Sequence, residues 1–476
     1  MEKFYVTTPI YYVNDVATIG HAYTTIIGDI IARWNRSQGK NTFYLTGLDE
    51  NSQKTVDAAE KSGVKDIKEY TDNMAKKWKE VWKKLNINYD GFIRTTEERH
   101  KKIVEKFFKS IYKKGDIYKG TYEGLYCDGC EAFYLEKDLV NGKCPYHKKE
   151  PKLIKEENYF FKLTKYSSQI LKHIEKNPNF ILPRSRRNEI ISFIKEGLKD
   201  TSISRCNAKW GISIPIDKKQ KFWIWFDAVL NYISGAEKYW PAELHLLAKD
   251  ILRFHGIFWI ALLLSSEQKL PKTLFVHGFL TINGQKMGKS LGNAIDPLKL
   301  SEKYGVDQLR YFLSREIPFG QDGDFSEEAL KNRINNELAN ELGNLVNRAL
   351  TISKKIKNIK KQELELKFNI KKIEELMREY KITEALNEIW KYVQETNKYI
   401  NQKEPWKLKD EKLEIVLYNC LESIRKISIL LWPFIPETCE RIQSLLNIKN
   451  QTLKTFDKCI DVYKTKEPEI LFKKIL

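Results

Sequence analysis

The chain has 476 residues, 42% hydrophobic and 12% aromatic, enough to bury a core larger than one domain and too apolar for a disordered protein. Its 82 basic residues against 63 acidic ones leave a formal charge of +19, which suits a polyanionic partner such as nucleic acid, because phosphate neutralisation releases counterions. No leader pattern precedes the first strand-like run and no apolar stretch reaches roughly 18 residues, so the expectation is a cytoplasmic protein without membrane contact, whose seven cysteines are metal ligands or core thiols rather than disulfides.

In chain order, Phe4 to Pro9 reads as a buried strand running into a Pro-containing loop. Thr18-Ile19-Gly20-His21 then opens a helix whose apolar residues Ile26, Ile27, Ile30, Ile31 and Trp34 recur at helical spacing. Asn41 to Leu45 is a second strand, ending at Thr46-Gly47-Leu48-Asp49. Strand, helix, strand at this spacing is a βαβ unit and predicts a doubly wound parallel sheet, with ligands beyond the carboxyl ends of its strands. Helices are expected around 68–85 and 97–114. The block 118–155 changes to turn residues, aromatics and clustered cysteines. Further buried strands are expected at 221–228, 244–248 and 273–276. From Ser326 the strand signal fades, and Leu330, Ile334, Leu338, Leu342 and Leu345 begin stripes that run to about Leu446, an all-helical bundle. The Lys-rich stretch 354–371 is the nearest thing to a hinge.

Two runs bear on phosphate chemistry. At Gly20-His21 a glycine lets the backbone approach a nucleotide, and a histidine at a helix start can donate to phosphate oxygens. Lys286-Met287-Gly288-Lys289-Ser290, after the turn-like Thr281 to Gln285, places two lysines three apart where they can clamp a triphosphate. Taken singly, the first run is equally an ordinary helix start and the second a solvated basic turn. Neither matches the P-loop pattern. Separately, Cys127-x2-Cys130 and Cys144-x2-His147 are two chelating knuckles, with Gly129 and Gly142 permitting tight turns. Three thiolates and an imidazole suit one tetrahedral, structural Zn2+ per chain. Cys206, Cys420, Cys439 and Cys459 have no such spacing and read as core.

The two phosphate runs together resemble the H-I-G-H and K-M-S-K-S signatures of class I aminoacyl-tRNA synthetases. Within that class the chain resembles the methionyl-tRNA synthetase family over nearly its whole length, through Tyr11 to Asp15, Trp225-Phe226-Asp227-Ala228, Lys249 to His255 and Gly320 to Phe325. The resemblance implies a Rossmann-type α/β fold with a zinc-knuckle insertion, followed by an α-helical bundle. The implied division is a catalytic domain at 1–115 and 223–270, the insertion at 116–222, a linking region with the lysine loop at 271–325, and an anticodon-binding bundle at 326–476. It implies ATP with Mg2+, L-methionine and tRNA(Met) as substrates and partners. His21, Thr18, Lys286 and Lys289 would act in catalysis, and Gly20, His21, Arg205, Lys286, Lys289 and Ser290 would bind ATP. A thioether packs well on aromatic walls, and the implied methionine pocket is Ile10, Tyr12, Asp49, Trp225, Tyr232, Asp250, Phe254, His255 and Trp259, with Asp49 on the substrate ammonium and His255 near the sulfur. The anticodon contacts implied are Asn344, Arg348, Pro405 and Trp406.

The chain departs from the family pattern in three places. Thr18 stands for the first histidine, Asn51-Ser52 for a His-Gly pair, and Gly288 for serine. The expectation is an active enzyme with a slower adenylation step. The competing readings are a catalytically silent tRNA-binding paralogue and a zinc-containing nucleotidyltransferase unconnected to tRNA. The family's optional C-terminal appended domain is not expected after Leu476, and with it a monomer is.

Overall fold

A computed structural model describes residues 2–127, 132–134, 136–146, 148–206, 208–282, 284–287, 293–449 and 451–475. Its centre is a six-stranded parallel sheet of β1 (Lys3–Tyr12), β2 (Asn41–Asp49), β3 (Gly91–Arg94), β4 (Ile181–Leu182), β5 (Leu244–Ala248) and β6 (Leu274–His277), in the order β3-β2-β1-β5-β6-β4. The order reverses beside β1, so the crevice at its carboxyl end is where a doubly wound sheet binds ligands. β1 does not stop at Pro9. It continues to Tyr12 with its register to β2 shifting between Thr7 and Ile10, because a proline without an N–H is accommodated at such an irregularity.

Strands β4 and β6 come from stretches expected to be insertion and linking region. The two residues of β4 are too few to carry a periodic signal. The segment 221–228 is not a buried strand. A strand of a small antiparallel sheet ends at Phe222 and a helical turn, Ile224–Ala228, follows. An apolar aromatic run does not distinguish a strand from a buried helical turn.

Helix α1 (Ile19–Ser37) follows β1. Its apolar stripe predicts one buried face, yet Thr24, Thr25, Asp29 and Arg33 are buried too, because the C-terminal helices cover the side turned away from the sheet. One continuous apolar core therefore runs from α1 and the helix Ile67–Lys84 into the bundle between residues 327 and 445. A second core joins the insertion, built on the antiparallel strands Ile117–Cys127 and Lys152–Phe161, to the wall of the ligand crevice.

The stripe Leu330, Ile334, Leu338, Leu342, Leu345 is fully buried. Between Ile334 and Gly343 the helix widens to i→i+5 turns, which keep residues spaced by four on one face. Among the described cysteines, Cys420 and Cys439 are core as expected. Cys206 and Cys459 are only half-buried, since they lie at the ends of short irregular segments.

Candidate active site

The carboxyl ends of β1 and β2 lie side by side, Tyr12 paired with Asp49. Opposite them the chain turns through Ile224–Ala228 and Asn231–Ser234. Beyond β5 it enters a second widened helical segment, Phe254–Trp259. A widened turn rotates its side chains out of α-helical register, a device common at ligand sites.

These elements enclose a cavity of about 80 Å3 lined by Ile10, Tyr12, Asp49, Trp225, Tyr232 and His255 from the residues singled out above. Pro9, Ala228, Val229, Asn231 and Ile251 line it as well, of which Val229 and Asn231 belong to no run singled out in the sequence. Phe254 lies just outside, stacked on Trp225 with ring centroids 4.0 Å apart. Trp259 is wholly buried behind Tyr232, and Asp250 faces a neighbouring cavity.

The cavity is apolar with a few fixed polar atoms. Nδ1 of His255 is 3.0 Å from the carbonyl of Ile251, which can only accept, so the ring proton sits on Nδ1. Nε2 is left to accept from the Tyr232 hydroxyl at 2.7 Å. Burial pushes His255 down to about 4, so the ring is neutral at ordinary pH. Asp49 is 4% exposed and lies at the cavity wall. Nε1 of Trp225 and Oδ1 of Asn231 are buried on the same wall, with no hydrogen-bond partner among the described residues.

The phosphate-type residues lie at the start of α1. Thr18 is its N-cap, and its backbone N–H donates to His21 Nδ1 at 3.0 Å, with the Thr18 hydroxyl at 3.0 Å from the same atom. Since Nδ1 accepts, the neutral imidazole carries its hydrogen on Nε2. Tyr11 and Trp78 pack edge-on against the ring at 5.0 and 5.2 Å and hold its plane. Trp78 also donates from Nε1 to the carbonyl of Asp15, and Tyr70 to that of Val13, which pins the loop before the helix.

Gly20 and the lysine hairpin approach each other. A Cβ on Gly20 would stand 3.9 Å from Met287 Cε, and the N–H of Ile19 donates to the carbonyl of Ile295 at 3.0 Å. The two signature runs, far apart in sequence, thus meet at one helix end. Lys286 pairs with Thr281 in a hairpin, while Gly288, Lys289 and Ser290 lie outside the described residues. The aspartate-rich run explains how the hairpin is held. Gly323–Asp324 pairs alongside Leu280–Ile282, and the Asp324 carboxylate accepts from the Thr281 hydroxyl at 2.6 Å and the Gly284 N–H at 3.0 Å.

Arg205 does not line the small cavity. Its guanidinium donates to the Ser204 carbonyl at 2.7 Å and sits beside Tyr126 and Trp223. Asn51, one of the departures, donates to the buried Asp227 carboxylate at 2.6 Å. Of the metal-type residues, Cys127 and Cys144 are buried, and Cys144 lies in a tight turn in which the Lys148 N–H donates to its carbonyl at 2.8 Å. Cys130 and His147 lie outside the described residues.

At the far end of the bundle, Asn344 and Arg348 share one helix face. Arg348 donates to Asn401 at 2.8 Å, and its guanidinium lies 5.6 Å from the Trp406 ring, which is 43% exposed beside the buried Pro405.

The chain matches the family of class I tRNA synthetases (M) over residues 4–152 and 135–350, and the anticodon-binding domain of tRNA ligases over 360–470. It is 45% identical to a protein from Caldanaerobacter subterraneus named methionine–tRNA ligase, over 100% of this chain and 79% of that one. A methionine–tRNA ligase of Thermotoga maritima is also 45% identical, over 92% and 74% of the two chains. Among solved structures, Mycobacterium tuberculosis methionyl-tRNA synthetase in complex with methionyl-adenylate superposes with a TM-score of 0.95 at 35% identity, over 99% of this chain and 100% of that one. Its apo form superposes at 0.86 with 33% identity, over 100% and 99%.

Proposed function

We propose a division of labour within this site from the premise that the chain belongs to the class I methionyl-tRNA synthetases. It activates methionine with ATP and transfers it to tRNA. In the first step a methionine carboxylate oxygen attacks the α-phosphorus of ATP, forming methionyl-adenylate as pyrophosphate leaves. In the second, a terminal ribose hydroxyl of the tRNA attacks the adenylate carbonyl and AMP leaves. Neither step needs a protein nucleophile, so the chain's contribution is position and charge.

The observation that carries the assignment is the small cavity placed between the two strand ends and the widened helix. Its aromatic walls suit a thioether, Asp49 and the Asn231 side-chain amide oxygen suit an ammonium, and the Tyr232–His255 pair fixes the polar end. Trp225 closes the wall, backed by Phe254, and Trp259 backs Tyr232. Asp250 and Arg205, which face away from this cavity, act less directly.

ATP lies with its α-phosphate toward His21 Nε2–H and Gly20. Lys286 and Lys289 bear on the outer phosphates, and Ser290 closes the loop, with Mg2+ accompanying the triphosphate. Thr18 serves by orienting His21. Asn344, Arg348, Pro405 and Trp406 take an anticodon base by stacking and edge contacts.

Cys127, Cys130, Cys144 and His147 hold one structural Zn2+. The burial of Cys127 and Cys144 and the tight turn at Cys144 fit thiolates folded onto a closed metal site. Among the described residues, no helix is long and apolar enough to cross a membrane. A cytoplasmic, monomeric enzyme remains our reading, with light scattering as the measure of its mass.

Methionine-dependent exchange of labelled pyrophosphate into ATP tests the whole assignment. Exchange with methionine and with no other amino acid is expected. Tight tRNA binding without exchange would make the chain a silent paralogue.

A further inference from the structure

We propose that a second cavity, behind the methionine cavity on the insertion side, receives an amino-bearing nucleobase from the single-stranded 3′ end of the tRNA. The inference rests on the tRNA-charging activity above and names where part of that substrate lies.

The cavity encloses about 310 Å3, against 80 Å3 for its neighbour, and is walled by Phe193, Arg205, Trp223, Arg253, Phe254 and Phe258 among others. The two cavities share a partition two stacked rings thick. Phe254 faces the larger, Trp225 the smaller, and the pair stack at 15°. An occupant of the larger cavity is therefore beside the amino acid. None of the described residues of the Thr18–His21 turn or the lysine hairpin lines it, and of the residues expected to bind ATP only Arg205 does so among those described.

Its lining has the chemistry of a base site. The Arg253 guanidinium lies 4.0 Å over the Phe193 ring, and that of Arg205 lies 5.2 Å from Tyr126 and 5.6 Å from Trp223. The Arg253 guanidinium, backed by the Phe193 ring, is a flat cationic platform of the kind that stacks a base and attracts the attached phosphate. Lys199 adds a further cation. The carboxylates of Asp138, Asp200 and Asp250 line the same space, which disfavours a bare anion and supplies acceptors for an exocyclic amine. Asp200 is partly engaged, accepting from Thr164 at 2.6 Å and from Tyr118 at 3.1 Å. Cytosine and adenine carry that amine; uracil does not.

Reaching this cavity is also what the second step requires. The terminal ribose must sit at the methionyl carbonyl, so neighbouring bases of an unpaired strand need a holding place next to the methionine cavity. A stacking cage set behind the stacked Phe254–Trp225 pair supplies one.

The test uses the full-length enzyme with Arg253→Gln and Phe193→Leu. Arg253 is exposed and Phe193 half-buried, so neither change opens the core. Three quantities are measured: methionine-dependent pyrophosphate exchange, aminoacylation kcat/KM, and the affinity for whole tRNA relative to tRNA lacking its two 3′-terminal nucleotides. Exchange should stay within about twofold while aminoacylation kcat/KM falls about tenfold, the order expected for one stacked base. The wild-type preference for whole tRNA should collapse in both variants. Unchanged aminoacylation, an unchanged preference, or an equal fall in exchange would each overturn the inference. Wild-type enzyme without exchange would instead overturn the assignment on which it rests.

Discussion

Arg310 donates from Nη2 to Oδ2 of Asp29 at 2.7 Å, and both side chains are wholly excluded from solvent. Asp29 lies on α1, two turns beyond His21, and also accepts from Arg33 at 2.7 Å. Arg310 donates in addition to the carbonyls of Pro433 and Phe434, at 2.9 and 3.0 Å. One guanidinium thus ties the helix that begins at the Thr18–His21 turn to the corner between two bundle helices. Replacing Arg310 by Met leaves Asp29 with Arg33 as its one remaining guanidinium partner and should cost about 1–3 kcal/mol. Arg310→Met with Asp29→Asn should cost less than Arg310→Met alone. Urea unfolding of the three variants and the parent measures this, and strict additivity would show that the pair is not coupled.

Acid should destabilise the protein in two successive, partly overlapping windows. Burial lowers the folded-state pKa of His255 and His277 to about 4 and of His100 to about 3, and lowers His245 in the same direction. Between the unfolded value of 6.5 and those folded values, the unfolded chain takes up protons that the folded one refuses. Stability therefore falls with pH in that window, by up to about 1.4 kcal/mol per histidine per pH unit. Asp29 acts lower down. Burial alone would raise its pKa, but Arg310 and Arg33 outweigh it and hold the carboxyl below 3.8. Its contribution is complete above the unfolded value and is lost as pH falls through the folded one. Thermal midpoints across the acid range should show the first loss in the parent and a shallower second one in Asp29→Asn.

Tyr232 is the donor to His255 Nε2. Tyr232→Phe leaves a buried acceptor unsatisfied, a loss of about 1–3 kcal/mol. It should raise the KM for methionine in pyrophosphate exchange by roughly tenfold. Because His255 stays neutral, kcat/KM should show no step from this residue between about pH 5.5 and 8. A step centred near the ordinary histidine value would place a proton on it.

Thr18 orients His21 through Nδ1. Thr18→Val keeps the shape and removes the hydroxyl, so single-turnover adenylation should slow by roughly threefold to tenfold. Thr18→His, restoring the longer donor common in the family, should accelerate it. Equal rates for threonine and histidine would show that the first position sets no limit.

Trp406→Ala removes an exposed ring backed by Arg348. Aminoacylation kcat/KM should fall by roughly tenfold to a hundredfold, and Trp406→Phe should recover most of it. An unchanged value would mean that the ring only packs between helices.

Metal analysis should find about one zinc per chain, and Cys144→Ser should lose it. Chelation should lower the melting midpoint and expose the insertion to protease. Full stability after complete zinc removal would leave Cys127 and Cys144 as core thiols only.

The sequence by itself determined the α/β core, the helical bundle and the two phosphate runs, because each rests on local spacing: a βαβ repeat, an i, i+4 stripe, a glycine before a histidine. Six of the methionine-type residues also proved to share one cavity. The tertiary structure alone decided what depends on contacts between distant segments. Met287 over Gly20, Asn51 on Asp227, Arg310 on Asp29 and the cavity behind Phe254 join residues that no local period relates. The two residues of β4 and the helical turn at 224–228 escaped for the complementary reason. In segments so short, burial from neighbouring elements outweighs any propensity of their own.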